Sequence, residues 1–444
     1  MKPTRIANAP GIALFILLGL GTAVPSRAQK SSPKPLDLTP VKPESVGFSS
    51  ERLERLHKLI QDEIDQKELA GAVTILARHG RVVEYRTYGE RDMASGAAMT
   101  KDVIFRDYSM TKPVTGVAMM VLYEQGKWQP WDPISKYIPE FAHLKVFKGV
   151  DAEGKMILAD PVHPPTLMEL MSHSAGFSYG SGHTVVDAMY QEKKPLPSTN
   201  LQEMIDKLAT IPLNYEPGKG WTYSLSMDVE GYIIEKLSGQ PLPEFMRQNI
   251  FEPLRMKDAG FYVPQEKRGR FATNYHADEK GKLVPVAPEN SPHGDYTAQP
   301  TLPSGGGGLV STAEDYYRFA QMLGNGGELG DARILAPATV KLMTSNHLPA
   351  NLLTGEFGIG QHVMRPGFGY GFNCAVVFDP PEAGLPDGKG TFFWDGAAGT
   401  WFWVDPTNDV VFVAMIQRML HPDNHSLQYR SHAAVYQALV DPSK

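Results

Sequence analysis

The chain has 444 residues, of which 42% are hydrophobic and 21% charged, so wholesale disorder is excluded. Its one cysteine, Cys374, excludes an intrachain disulfide framework and a Cys-rich zinc site. A net charge of -6 gives no reason to expect a nucleic-acid partner or an anionic membrane surface.

Residues 1–28 read as a secretory signal. Lys2 and Arg5 supply the positive start, Gly11 to Val24 is an apolar run short for a spanning helix, and Ser26-Arg27-Ala28 puts small residues at the two positions a signal peptidase reads. Cleavage after Ala28 would leave a periplasmic or secreted protein with no stable membrane span; the alternative is a retained N-terminal anchor. Residues 29–45 are rich in Pro, Lys and Ser and read as a linker. Leu53, Leu56, Leu59, Ile60 and Ile64 are spaced for a helix over Ser50–Lys67, with Ser50 as its N-cap. Two β-branched runs, Ala72–Arg78 and Arg81–Tyr88, flank His79-Gly80 and predict a hairpin. A helix is expected from Ser109 through Tyr123.

The stretch from about 130 to 300 is punctuated by proline and carries helical pieces such as Leu201–Ala209 and Asp228–Leu237, the latter closed by Gly239. Four glycines, Gly305–Gly308, precede a helix over Thr312–Leu323 capped by Ser311 or Thr312. Strands follow at Thr391–Trp394, Thr400–Val404 and Val410–Ile416, with a turn at Pro406–Asp409 and a last helix at Leu427–Val440. Cys374 sits in a strand-like run, Phe372–Val376. The economical solution is an α/β (α+β) fold. The early hairpin and late strands share one antiparallel sheet in a mixed lobe of 46–130 plus 300–444, and a helical lobe of 131–299 is inserted, all forming one composite unit.

Ser109-Met110-Thr111-Lys112 is a Ser-x-x-Lys tetrad, and at helical spacing its hydroxyl and amine share a face. A serine needs a neighbouring base to attack, and a lysine serves as one when desolvation lowers its pKa. Free N–H groups at the helix start would favour an oxyanion, and Pro113 is tolerated in a first turn. The tetrad alone is a weak signal; a second copy, Ser31 to Lys34, falls in the linker. A rival nucleophile is Ser178 in Gly176-Phe177-Ser178-Tyr179-Gly180, a Gly-x-Ser-x-Gly match. That motif needs a strand before it and a helix after it, whereas here a short helix precedes and a loop follows, so the match reads as accidental.

Phe105 to Thr115 resembles the nucleophile segment of the serine β-lactamase and penicillin-binding protein superfamily, in its class C-like branch, most similar to family VIII esterases. The resemblance continues through Trp131-Asp132-Pro133, Thr166–Gly176, Pro217 to Ser224, Gly305–Thr312 and Trp394–Pro406, nearly all of the chain beyond about residue 45. It implies a β-lactamase/transpeptidase-like fold, a central antiparallel sheet flanked by helices with an inserted all-helical lobe. It maps the catalytic set to Ser109, Lys112 and Tyr223, the last within Tyr223-Ser224-Leu225. A tyrosine there would shuttle protons if a neighbouring lysine lowered its pKa. The third motif maps to Trp394-Asp395-Gly396, whose strand would present the Ala397 N–H beside that of Ser109 as oxyanion donors. Leu225 stands where lactamases have asparagine, and Trp394 where they have the lysine that pairs with the lactam carboxylate.

Those two departures favour an ester with an apolar acyl group over a charged β-lactam. The expectation is an exported serine hydrolase that cleaves a carboxylic ester, or an amide, through a Ser109 acyl-enzyme. It would use no cofactor, no metal and no nucleic acid. The alternatives are a class C-like β-lactamase or D-amino-acid peptidase, an acyltransferase, and a non-catalytic penicillin-recognising domain.

Overall fold

A computed structural model describes residues 36–291, 293–352, 364–419 and 424–444. The expected export signal and the first part of the linker lie outside the described residues. The sheet starts at the hairpin expected from the sequence. Gly71–Arg78 (β1) and Arg81–Asp92 (β2) pair antiparallel, with Arg78 opposite Arg81. His79 and Gly80 turn with φ of 53° and 66°, the left-handed pair that a two-residue type I′ loop requires. A short strand, Ala97–Ala98 (β3), extends this edge.

The remaining strands come from the end of the chain: Phe368–Tyr370 (β4), Ala375–Val377 (β5), Thr391–Asp395 (β6), Trp401–Asp405 (β7) and Val410–Met415 (β8). The order across the eight-stranded sheet is β4-β5-β6-β7-β8-β1-β2-β3, antiparallel throughout. β1, β7 and β8 are buried along their whole lengths, which is why they read as continuous apolar runs rather than alternating ones. Val73 lies opposite Met415 and Arg78 opposite Val410, so strands more than three hundred residues apart meet at the sheet centre.

Helices cover the sheet. Ala313–Gly324 packs on β1, β7 and β8; its N-cap is Thr312, whose Oγ1 accepts from the Asp315 N–H at 3.1 Å, a cap of the kind that contributes ~1 kcal/mol. Ser50–Asp65 packs beside the last helix, Asn424–Tyr436. Two expected boundaries shift. The first helix is capped by Ser49, whose Oγ accepts from the Arg52 N–H at 3.3 Å, because the Ser50 hydroxyl is drawn to Glu44 Oε1 at 2.6 Å. The last helix ends at Tyr436 rather than Val440, because Leu439 bridges to Phe48 and the Val440 N–H bonds to Gly47 O.

Between the sheet segments lie the helices Leu167–Met171, Val185–Lys193, Leu201–Leu208, Ser226–Ser238 and Leu242–Met246. Gly239 closes the fourth with φ 71°, as expected. Beside the helices, the inserted stretch carries two short hairpins, at Val146–Val150 with Met156–Ala159 and at Tyr275–Ala277 with Leu283–Pro285. A separate antiparallel pair matters most for the site: Ile104–Arg106 lies against Val310–Thr312, so the segment before Ser109 is tied to the segment after the glycine run.

Candidate active site

Ser109 follows that two-stranded pair directly. The Asp107 N–H bonds to Leu309 O at 2.9 Å and Asp107 Oδ1 accepts from Ser311 Oγ at 2.7 Å, which locks the approach to the serine. Asp107 is fully buried, and burial pushes its carboxyl up to about 8. Tyr108 has φ +46°, a left-handed conformation that costs ~1–2 kcal/mol for a residue with a side chain. Its ring is held edge-on to Tyr296 at 5.6 Å, and Asn274 Nδ2 donates to its hydroxyl at 3.0 Å. The expected helix start is refined here: Ser109 sits in a 3-10 turn, Tyr108–Met110, and the α-helix runs Thr111–Glu124.

Lys112 is 1% exposed, and its Nζ lies 3.0 Å from Ser109 Oγ. A second Nζ hydrogen bond goes to Gly306 O at 2.7 Å. Burial brings this amine down to about 7, against the opposing charges of Asp228, Asp395 and Glu230. Tyr223 comes from the loop ahead of helix Ser226–Ser238, and the centre of its ring lies 4.5 Å from Lys112 Nζ. Here the sequence reading is corrected. The phenol is shifted up, well above its ordinary value, because burial outweighs the Ser109 hydroxyl and the Trp394 indole, which pull it down. Tyr223 is thus kept as a phenol.

The third expected motif closes the other side. Trp394 packs on Tyr223 at 5.5 Å and perpendicular to Tyr370 at 5.3 Å. A Cβ on Gly396 would lie 2.3 Å from both Asp107 O and Thr400 Oγ1, so only glycine lets the end of β6 approach the serine segment. Asp395 ends β6, and exposed Ala397 lies in the turn closed by the Gly399 N–H to Gly396 O bond. Leu225 is 1% exposed and precedes helix Ser226–Ser238. Ser178, the rival serine, is buried with its Oγ donating to Asp187 Oδ1 at 2.7 Å and accepting from the Gly180 N–H at 2.9 Å.

Several residues escaped the sequence reading. His173 has φ +58°; its Nδ1 accepts from the Ser224 N–H at 3.3 Å, and its ring lies 4.8 Å from that of Tyr223. Burial, and then Lys112, hold this imidazole well below its usual range. Asp228 and Glu230 are buried on helix Ser226–Ser238, and burial raises both carboxyls, Glu230 to about 8. The four-glycine run was the visible signal for this part of the site.

A family model described as beta-lactamase matches residues 56–437. Esterase EstB of Burkholderia gladioli is 31% identical over 370 residues, covering 78% of this chain and 86% of its own. Lovastatin esterase of Penicillium rubens is 27% identical over 379 residues, covering 82% and 92%. Among solved structures, EstCE1, described as a hydrolase with promiscuous acyltransferase activity, matches with a TM-score of 0.73 at 28% identity, covering 87% of this chain and 99% of that one. With the fold and the grouped Ser109, Lys112 and Tyr223, these likenesses place the chain in the beta-lactamase family, as a serine hydrolase related to the family VIII esterases.

Proposed function

We propose that the protein is an exported esterase that works through an acyl-enzyme on Ser109. The observation that carries this reading is the 3.0 Å approach of Lys112 Nζ to Ser109 Oγ, with an amine that burial brings to about 7. A neutral Lys112 takes the hydroxyl proton as Ser109 attacks the ester carbonyl. The N–H groups of Ser109 and Ala397 receive the oxyanion, a contribution of ~3 kcal/mol for each well-placed donor. Tyr223, held as a phenol, gives its proton to the leaving alkoxide. The resulting phenolate then takes a proton from water as the water attacks the acyl-enzyme. Collapse returns the proton of Lys112 to Ser109 Oγ, and the products are one alcohol and one acid.

Trp394 and Leu225 support an ester over a charged β-lactam. Neither supplies the cation or the amide that a lactam carboxylate and side-chain amide would use. Substrates would be small-molecule esters, with amides and β-lactams as poorer ones. A panel pairing short p-nitrophenyl esters with a chromogenic cephalosporin tests this. Ester turnover that vanishes in Ser109→Ala is expected, and faster lactam than ester cleavage would overturn the ester assignment. For export, the basic start, the apolar run and the small residues Ser26 and Ala28 support release to a periplasmic or secreted location. Mass spectrometry of the protein made in a bacterial host should then find Gln29 as the first residue.

A further inference from the structure

The run Gly305–Gly308 has no part in the reaction as written, yet it borders the reacting groups. None of the four has a positive φ, so conformational freedom does not explain them. Close approach does. A Cβ on Gly305 would lie 2.2 Å from Met227 O, one on Gly306 2.6 Å from Asp228 Oδ2 and 3.0 Å from the Tyr179 hydroxyl, and one on Gly307 2.0 Å from His293 Nε2. The loop is pressed against the first turn of helix Ser226–Ser238.

At that contact Asp228 Oδ1 accepts from Ser304 Oγ at 2.5 Å and from the Gly306 N–H at 3.2 Å. The carbonyl of the same Gly306 accepts from Lys112 Nζ at 2.7 Å, and Gly305 O accepts from Thr115 Oγ1 at 2.7 Å. One glycine residue therefore joins a fully buried carboxylate to the amine that faces Ser109. We propose that Asp228 is a positioning residue for Lys112, acting through Gly306. It sets the glycine loop where the Gly306 carbonyl takes one hydrogen of the amine and leaves the amine aimed at Ser109 Oγ. This inference rests on the reading of Ser109 and Lys112 given above.

The charge of Asp228 also acts on Lys112, favouring its protonated form. Lys112 faces Ser109 on its own segment, the Tyr223 and Tyr179 rings, Asp228 and Glu230 on helix Ser226–Ser238, Asp395 at the end of β6, and the imidazoles of His173 and His293. Of the three carboxylates, Asp228 is the strongest in favouring the protonated amine. Removing its charge while keeping its shape therefore lowers the pH at which Lys112 becomes neutral.

The test compares Asp228→Asn and Ser304→Ala with the wild type across about pH 5 to 9, reading ester kinetics, fluorophosphonate labelling of Ser109 and thermal melting. Asp228→Asn should lower kcat about 10- to 100-fold with KM changed by less than about threefold, and should move the acid limb of the profile to lower pH. Ser304→Ala keeps the carboxylate, so a smaller loss in kcat with an unmoved limb is expected. A folded Asp228→Asn enzyme within about twofold of wild-type kcat, or one whose acid limb stays in place, overturns the proposal. If Asp228→Asn does not fold, Ser304→Ala decides, and kcat within about twofold of wild type overturns it. A wild-type enzyme that is not labelled at Ser109 would sink the underlying reading instead; labelled wild type with unaffected variants sinks this inference alone.

Discussion

Ser109 and Ser178 each match a pattern associated with serine nucleophiles, and their surroundings differ in one chemical respect. Ser178 Oγ donates to Asp187 Oδ1, while Asp187 Oδ2 receives the Thr184 hydroxyl at 2.7 Å and the Thr184 N–H at 3.1 Å. That carboxylate is committed to the capping box of helix Val185–Lys193 and keeps the hydroxyl as a structural donor. Ser109 Oγ instead faces Lys112 Nζ, an amine that burial brings near neutrality, beside a phenol that burial keeps protonated. A motif is a spacing. What makes one hydroxyl reactive is whether its neighbour is free to take a proton at working pH.

Five experiments break or sharpen that contrast. Ser109→Ala should remove turnover, a loss of at least about 10⁴-fold, together with all fluorophosphonate labelling. An active Ser109→Ala beside an inactive Ser178→Ala would reverse the comparison. Lys112→Met should cost ~10³-fold or more. In the wild type, kcat/KM should rise with pH through about 7 and level off above it, because Lys112 must be neutral to accept the serine proton. A flat profile in that range would remove Lys112 as the base. Tyr223→Phe should lower kcat about 10²- to 10³-fold, less for esters with good leaving groups such as p-nitrophenolate than for alkyl esters, since a donor matters most for a poor leaving group. Equal losses on both would argue against a proton from the phenol. The smallest effect is expected for Ser178→Ala: kcat/KM within about twofold, and stability lower by ~1–2 kcal/mol in denaturant unfolding, as a buried carboxylate oxygen loses its donor.

Much of the molecule was legible in local signals. The His79-Gly80 turn, the Thr312 cap and the Gly239 C-cap all appear where their residue types demand, since each depends on bonds within a few residues. Boundaries failed where residues outside the element intervene: Ser49 replaces Ser50 as a cap because Glu44, just ahead of the helix, captures the latter, and the last helix stops short because distant Phe48 pairs with Leu439. In the site, the Ser109-x-x-Lys112 spacing was visible because both residues lie on neighbouring turns. Asp228 was not, since its tie to Lys112 runs through Gly306, seventy-eight residues further along the chain.

By itself, then, the sequence determined an α/β (α+β) chain with one conventional nucleophile segment, no disulfide and a family likeness spanning nearly all of the chain beyond the linker. Tertiary structure alone decided how burial shifts Lys112 and Tyr223. The same burial that drops Lys112 to about 7 raises Tyr223, because desolvation disfavours whichever form is charged. Residue order carries the identity of an ionisable group, but the water removed from around it depends on segments brought together from far along the chain, and that sets whether the group holds its proton.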